Sequence, residues 1–267
     1  MTKDPFTHLV IGKAMETHSA LGPGLIESFY HQDLVQRLVA AGIEHESKPR
    51  RELLYRGVVA DVFEPDLVFP GRLIPELKAL RGDFAPSHFT QLLAYQKCWD
   101  IPTGMLLDFG KASLLFKRVA FTSSVAMFPA VQVPTSLEHR DLAIRLIALL
   151  QQVNDDIGLG YRESTWQGLT CAAMQSEALQ YAVSPSATVG VLGPATLRCI
   201  LVESHCPLTI TALGDGISAA DRAILQSCLH WLGLPWGIAA HFGRRNVDVR
   251  IVQRRGNSPL QESIEQF

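Results

Sequence analysis

The sequence predicts an α/β protein in which two mixed sheets, each flanked by helices, follow one another along the chain. Apolar residues recur at helical spacing over residues 6–21 and 25–41, which indicates two amphipathic helices. Two short apolar runs on either side of Pro70-Gly71 indicate a β-hairpin. A similar succession of helix, turn and strand patterns returns after residue 139, so the same fold is expected twice.

The predicted hairpin, over residues 65–78, brings charged side chains together. Because side chains alternate along a strand, Glu76 and Lys78 point to one face, while Leu77 between them points into a core. Asp66 lies near the same end of the partner strand. Two carboxylates and an ammonium group are therefore expected to converge on one side of a sheet.

This combination of groups suits a hard divalent cation. Carboxylate oxygens are the ligands that Mg²⁺ prefers, and a lysine beside them can orient a water or stabilise a developing anion. The alternative interpretation is a solvated strand face that carries a Glu–Lys ion pair. Pro75 precedes Glu76 directly, and because proline cannot donate a ladder bond, we expect weakened pairing or a sheet edge at that point.

Composition sets the broad class of the protein. Of its 267 residues, 47% are hydrophobic and 19% charged, which is typical of a soluble globular protein. The net charge of -2 means that positive charge for a nucleic acid must be local or come from a metal. Five scattered cysteines without a C-x-x-C pair favour free thiols and a cytoplasmic location over a disulfide frame. We expect neither a signal peptide nor a membrane span.

The order Pro65-Asp66, Glu76 and Lys78 resembles the motif of the PD-(D/E)XK nuclease superfamily. This resemblance implies that Asp66, Glu76 and the Leu77 carbonyl bind Mg²⁺ or Mn²⁺. It also implies that Lys78 orients the attacking water.

Residues 24–30 carry a second motif, with the pattern G-x-x-E-x-x-Y. They look like the corresponding segment of the bacterial GxxExxY protein family, a branch of the same superfamily. The resemblance implies that Glu27 leans over the metal site from the first turn of its helix. The alternatives are that Glu27 only complements the positive end of that helix and that Tyr30 only packs in the core.

A third motif follows the Glu-x-Lys strand. Gln91 and Tyr95 are four positions apart on a predicted helix and so share one face. This Q-x-x-x-Y pattern is similar to the third motif of RecB-type nucleases, which implies that both side chains contact the site or the phosphate. An exposed polar residue is the alternative interpretation of Gln91.

The resemblance covers about residues 5–121 and implies a restriction-endonuclease-like αβββαβ core there. We expect a domain with intact motifs over residues 1–121 and a linker over 122–138. A degenerate repeat of the same fold is expected over residues 139–255, followed by a tail over 256–267.

The repeat is expected to have lost the chemistry of the first copy. Residues 158–166 match residues 22–30 in the pattern G-x-G-x-x-E-S-x-aromatic. However, aligning the two copies by sequence puts Gly190, Ile200 and Val202 at the positions of the Asp and the Glu-x-Lys pair. A hairpin without carboxylates is not expected to hold a divalent metal.

We therefore expect a metal-dependent phosphodiesterase that acts on DNA or RNA through the first domain, with a structural second domain. The halves are expected to pack as an internal pseudo-dimer, as in a fused two-fold dimer. A catalytically silent nuclease-like binding or assembly module is the alternative, and a small-molecule phosphodiesterase is a third. Fold-level analogy does not choose among these.

Overall fold

The computed structural model describes residues 4–121 and 127–255, and these residues divide into two units. The first unit holds residues 4–121 together with Gly160–Thr165, and the second holds residues 127–159 and 166–255. The predicted tail and the first part of the predicted linker lie outside the described residues. None of the described helices has the length and apolarity that a membrane span needs.

The first unit contains three helices and seven strands. In chain order they are α1 (Pro5–Leu21), α2 (Glu27–Ala40), β1 (Glu46–Ser47), β2 (Arg51–Tyr55), β3 (Val58–Phe63), β4 (Leu67–Val68), β5 (Ile74–Lys78), α3 (Pro86–Trp99), β6 (Thr103–Asp108) and β7 (Leu115–Ala120). The order β5-β6-β7 forms a mixed sheet, because β5 and β6 are parallel whereas β6 and β7 are antiparallel.

Helices cover both faces of this sheet. Leu77 and Leu107 belong to a buried cluster that α1 and α2 complete with residues such as Val10 and Leu34. On the opposite face, Gly104 of β6 lies against α3. The predicted α/β class with mixed sheets flanked by helices is confirmed.

The predicted hairpin forms only in part. Strand β4 pairs with β1 instead of β5, and a single bridge between Phe69 and Leu73 joins the two sides of the turn. Beyond that bridge, the side chains of Asp66 and Glu76 accept hydrogen bonds from main-chain amides. The prediction of a regular hairpin is therefore wrong, because side-chain bonds replace the ladder, although Asp66 and Glu76 are still neighbours.

Pro75 is accommodated because β5 is the outer strand of its sheet. The Lys78 carbonyl accepts a bond from Phe109 on the side of β6, whereas the Leu77 amide donates to Asp66 on the outer side. Pro75 is two positions before Leu77, so its missing N–H also faces outward. The sheet edge expected at Pro75 is confirmed, and no ladder bond is lost there.

The close approach of α3 to the sheet depends on Gly104. A Cβ atom at this position would lie 2.8 Å from Leu92 Cγ and 2.9 Å from Gln96 Oε1. We expect Gly104→Ala to lower the free energy of unfolding by about 1–3 kcal/mol, measured by urea denaturation.

Gly12 of α1 provides a matched control, since a Cβ atom there would meet nothing within 4 Å. Gly12→Ala should raise the free energy of unfolding by up to about 1 kcal/mol, the preference for alanine inside a helix. A Gly104→Ala protein as stable as the wild type would contradict the packing described for α3.

The described part of the second unit contains three α-helices and seven strands, although the first three residues of α5, Glu163–Thr165, belong to the first unit. They are α4 (Arg140–Ile157), α5 (Glu163–Ser176), β8 (Tyr181–Val183), β9 (Ser186–Thr188), β10 (Pro194–Thr196), β11 (Ile200–Val202), β12 (Cys206–Ala212), α6 (Ala219–Leu232), β13 (Trp236–Phe242) and β14 (Val247–Gln253). Five strands form a sheet in the order β14-β13-β12-β11-β8, in which only β12 and β13 are parallel. Strands β9 and β10 form a separate hairpin.

The strand order of the second unit bears on the residues that the sequence matched to the Glu-x-Lys pair. Ile200 and Val202, which the sequence alignment matched to the Glu-x-Lys pair, lie in β11, which is antiparallel to its neighbours. In the second unit, β12 pairs in parallel with β13, the strand that follows α6. In the first unit, β5 pairs in the same way with β6, the strand that follows α3. In the ladder of β12 with β13, Thr209 pairs with Ala239 and Thr211 pairs with His241.

Candidate active site

Asp66 and Glu76 are held together by two hydrogen bonds at the outer edge of β5. The Asp66 amide donates to Glu76 Oε2 at 3.3 Å, and the Leu77 amide donates to Asp66 Oδ2 at 2.8 Å. Because the N–H and C=O of one strand residue point to the same side, the Leu77 carbonyl faces the same edge as the Asp66 carboxylate. The three groups that the sequence predicted as metal ligands, the Asp66 and Glu76 carboxylates and the Leu77 carbonyl, therefore share this edge.

The Glu76 carboxylate is almost completely buried, with 3% of the residue exposed. Burial and the neighbouring Asp66 carboxylate raise its pKa to about 7, although Lys78 acts in the opposite direction. A bound cation would relieve both causes, because it compensates buried negative charge and screens the two carboxylates from one another.

Lys78 is the positive group of the site. Its Nζ atom donates to Glu76 Oε1 at 2.8 Å, and the residue is 8% exposed. Burial alone would lower the pKa of Lys78, but the charge and hydrogen bond of Glu76 raise it above the ordinary value. The side chain is therefore a charged donor fixed beside the carboxylates.

Glu27 reaches the site from the first residue of α2. Its Oε2 atom lies 3.9 Å from Lys78 Nζ, and 46% of its side chain is exposed. Glu27 therefore lies beside Lys78, and among the described residues it makes no hydrogen bond to Asp66 or Glu76.

Tyr30, the last residue of the G-x-x-E-x-x-Y motif, has a structural role. Its hydroxyl donates to the Gly22 carbonyl at 2.7 Å and accepts from the Leu25 amide at 3.1 Å. Its ring stacks on Phe109 with 4.8 Å between ring centroids. Tyr30 therefore fixes the loop that leads into Glu27.

Gln91 and Tyr95 of α3 form a pair above the same face. Gln91 Nε2 donates to the Tyr95 hydroxyl at 2.8 Å. Burial, followed by the charge of Glu76, raises the pKa of Tyr95 to about 12. Tyr95 is therefore a neutral phenol close enough to the carboxylates to experience their charge, and Gln91 is attached to the site through it.

Three further polar residues lie near the site, and none of them was predicted from the sequence to belong to it. His31 contacts the Asp66 carbonyl, and the pKa of His88 is lowered by burial and then by Lys78. Asp108 pairs with Lys78 in the sheet register and accepts bonds from the Leu80 and Gly110 amides. His31 could have been predicted from its position four residues after Glu27, on the same face of α2. Asp108 could have been predicted only from the parallel pairing of β5 with β6.

The oxygen ligands at the outer edge of β5 fit a small divalent cation. Among the described residues, no group of three or more His, Cys, Asp and Glu side chains could hold a metal ion. Two carboxylates with one carbonyl nevertheless match the usual mode of Mg²⁺, which keeps several waters and uses one or two protein carboxylates. Asp66, Glu76 and the Leu77 carbonyl would hold it.

The raised pKa of Glu76 predicts a pH-dependent stability in the presence of EDTA. Between about pH 4.5 and pH 7 the folded protein keeps a proton that the unfolded chain releases, so the free energy of unfolding falls as the pH rises. Relative to wild type, Glu76→Gln should gain stability across this window, up to about 3 kcal/mol. Urea denaturation at several pH values measures this difference, and a constant difference would contradict the raised pKa.

The comparisons with known proteins concern the same part of the chain. Residues 4–119 match the family model of the PD-(D/E)XK nuclease superfamily. This match suggests a nuclease-like function for the first unit, and nucleases of this superfamily are generally dependent on a divalent metal. The mixed sheet flanked by helices is consistent with the superfamily's fold. No curated protein matches the chain.

A solved structure, the crystal structure of SSO0001, is similar at 15% sequence identity. The similarity covers 44% of this chain and 78% of that chain, with a TM-score of 0.23. A TM-score this low carries no argument about fold or function.

Proposed function

We propose that the first unit is a Mg²⁺- or Mn²⁺-dependent phosphodiesterase that cleaves nucleic acid. The observation that carries this proposal is the buried Glu76 carboxylate, which lies beside Asp66 and 2.8 Å from Lys78 Nζ at an open strand edge. A structural ion pair would not require a second carboxylate that raises the pKa of the first.

Each side chain has a distinct task in the proposed reaction. Asp66 and Glu76 would hold the cation, which would supply Lewis acidity toward the phosphate and acidify the attacking water. Lys78 orients the attacking water and stabilises the negative charge that develops on the phosphate. Glu27 keeps Lys78 charged from its outer side, and the Gln91–Tyr95 pair contributes neutral hydrogen-bond donors.

The G-x-x-E-x-x-Y motif supports a place for the first unit in the GxxExxY family. Tyr30 ties the loop between α1 and α2, and Glu27 directly follows that loop at the edge of the site. Nucleic acid is the proposed substrate because the superfamily acts on it, and the net charge near zero leaves phosphate binding to the cation and Lys78.

The second unit is, in this proposal, a divergent copy of the first. In both units a parallel strand pair joined by a helix is followed by an antiparallel strand, β5-α3-β6-β7 and β12-α6-β13-β14. Gly104 of β6 approaches Leu92 of α3, and Gly237 of β13 approaches Leu225 of α6. The copy offers Thr209 and Thr211 in place of the Glu-x-Lys pair, so its role is structural.

The tandem arrangement is also proposed to be a pseudo-dimer within one chain, because duplication can fuse a two-fold dimer. Residues 1–125 expressed alone should then dimerise or be poorly soluble, as measured by analytical ultracentrifugation. A stable monomeric fragment would contradict the pseudo-dimer without affecting the proposed activity.

Cleavage of three substrates tests the proposed function. Supercoiled plasmid, single-stranded DNA and RNA should be incubated with the full chain in Mg²⁺, in Mn²⁺ and in EDTA. Cleavage of at least one nucleic acid with a metal, and none in EDTA, is the expected result. Cleavage that persists in EDTA would contradict the proposal.

A further inference from the structure

We propose that His31 is a positioning residue that fixes the Asp66 carboxylate by binding the Asp66 main-chain carbonyl. The relevance of this role to metal binding rests on the proposed function. His31 lies on α2, is 9% exposed, and has its Nε2 atom 3.1 Å from the Asp66 carbonyl oxygen.

The partners of His31 define which nitrogen carries its proton. A carbonyl oxygen can only accept, so Nε2 must donate to Asp66. Ser47 Oγ lies 3.3 Å from the same nitrogen and can accept a share of that proton. The Lys48 amide donates a second bond to the Asp66 carbonyl at 3.0 Å. The carbonyl is therefore held by α2 and by the segment that follows β1.

Together with the bonds to Glu76 and Leu77, these bonds hold the amide, the carbonyl and one carboxylate oxygen of Asp66. Its amide donates to Glu76, its carbonyl accepts from His31 and Lys48, and its Oδ2 atom accepts from Leu77. Among the described residues, Oδ1 is the Asp66 oxygen without a hydrogen-bond partner. We call these four bonds to Asp66, from or to Glu76, His31, Lys48 and Leu77, the clamp. The clamp leaves one carboxylate oxygen, Oδ1, for an external ligand.

Asp66 needs this support because the strand beside it is short. β4 begins only at Leu67, has two residues and pairs with an equally short β1. With no ladder between β4 and β5, the orientation of Asp66 depends on its individual bonds. His31 lies four residues after Glu27, so the same face of α2 reaches both Lys78 and Asp66.

Amide hydrogen exchange in the metal-free protein tests the clamp directly. The Leu77 amide reports on the Asp66 carboxylate, and the Phe109 amide, bonded to the Lys78 carbonyl, reports on the sheet itself. In His31→Leu, exchange at Leu77 should accelerate by about tenfold relative to Phe109, the effect of losing roughly one hydrogen bond. His31→Gln retains a donor and should restore most of the protection.

His18 provides a matched control. It is a buried histidine on α1 whose Nε2 atom also lies near a main-chain carbonyl, that of Lys111, at 2.8 Å. His18→Leu should leave exchange at the Leu77 amide unchanged, because His18 contacts Phe109 and Lys111 and, among the described residues, takes part in none of the bonds of Asp66. Equal acceleration of the two amides in His31→Leu, or no acceleration at Leu77, would overturn the proposal.

Mn²⁺ titration then separates this inference from the proposed function. His31→Leu should bind Mn²⁺ about tenfold more weakly than wild type, and His18→Leu should bind it as wild type does. If wild type binds no Mn²⁺, the metal-dependent function fails, while the exchange rates still decide whether His31 fixes Asp66. Wild-type affinity in His31→Leu would overturn the link between the clamp and the metal.

Discussion

Replacing Asp66 with asparagine will abolish Mn²⁺ binding while leaving the fold intact. Asparagine keeps the shape of the side chain and an oxygen that can accept the Leu77 amide, so the bond at the strand edge survives. The charge is lost, and one carboxylate with one carbonyl is a poor site for a divalent cation. Calorimetry should show a loss of affinity of about 100-fold or more.

Asp33→Asn is the matched control for this change. Asp33 lies on α2 and pairs with Arg37 at 2.6 Å, so its replacement also removes one charge of an ion pair. Mn²⁺ affinity should be unchanged in this variant. Unchanged affinity in Asp66→Asn, with a normal thermal transition, would contradict the assignment of Asp66 as a ligand.

Replacing Lys78 with methionine will separate catalysis from metal binding. Methionine retains an unbranched apolar chain, but it cannot orient water or stabilise the developing charge of the phosphate. Turnover should fall on the order of 10²–10³-fold at saturating Mn²⁺. Without the hydrogen bond from Lys78, Glu76 Oε1 is free to bind Mn²⁺. Mn²⁺ should therefore still bind at pH 8.5, which is above the raised pKa of Glu76.

Single-turnover cleavage and calorimetry on the same preparation measure these two effects. Wild-type turnover in Lys78→Met would remove Lys78 from the reaction. Loss of Mn²⁺ binding at pH 8.5 would instead make Lys78 a structural support of the carboxylates.

The parts of the site that depend only on local strand geometry were predicted correctly from the sequence. Alternation along β5 separates Glu76 and Lys78 from Leu77, and the structure has Leu77 in the core and the charged pair on the other face. The proximity of Asp66 and Glu76 was also predicted, but for a reason that proved wrong. Side-chain bonds, and not a strand ladder, join them, because the apolar pattern around a turn does not reveal which strands pair.

The remaining features depend on contacts between distant segments. The support of Asp66 by His31 joins α2 to the residue before β4, and no short motif links these segments. In the second unit the β9–β10 hairpin lies between the paired strands β8 and β11, and in the first unit the β2–β3 hairpin lies between the paired strands β1 and β4. The apolar pattern of Ile200 and Val202 did not reveal that they lie in the antiparallel strand β11 and that β12 is the strand that pairs in parallel with β13.

The most direct measurement is the nicking of supercoiled plasmid in Mn²⁺ by three preparations purified in parallel. Glu76→Gln removes the charge of the buried carboxylate, and Glu52→Gln makes the same change at an exposed residue of β2. Wild type and Glu52→Gln should nick the plasmid, and Glu76→Gln should show no nicking above background. Equal nicking by all three preparations, or no nicking by wild type, would contradict the assignment of Glu76 to a metal-dependent nuclease site.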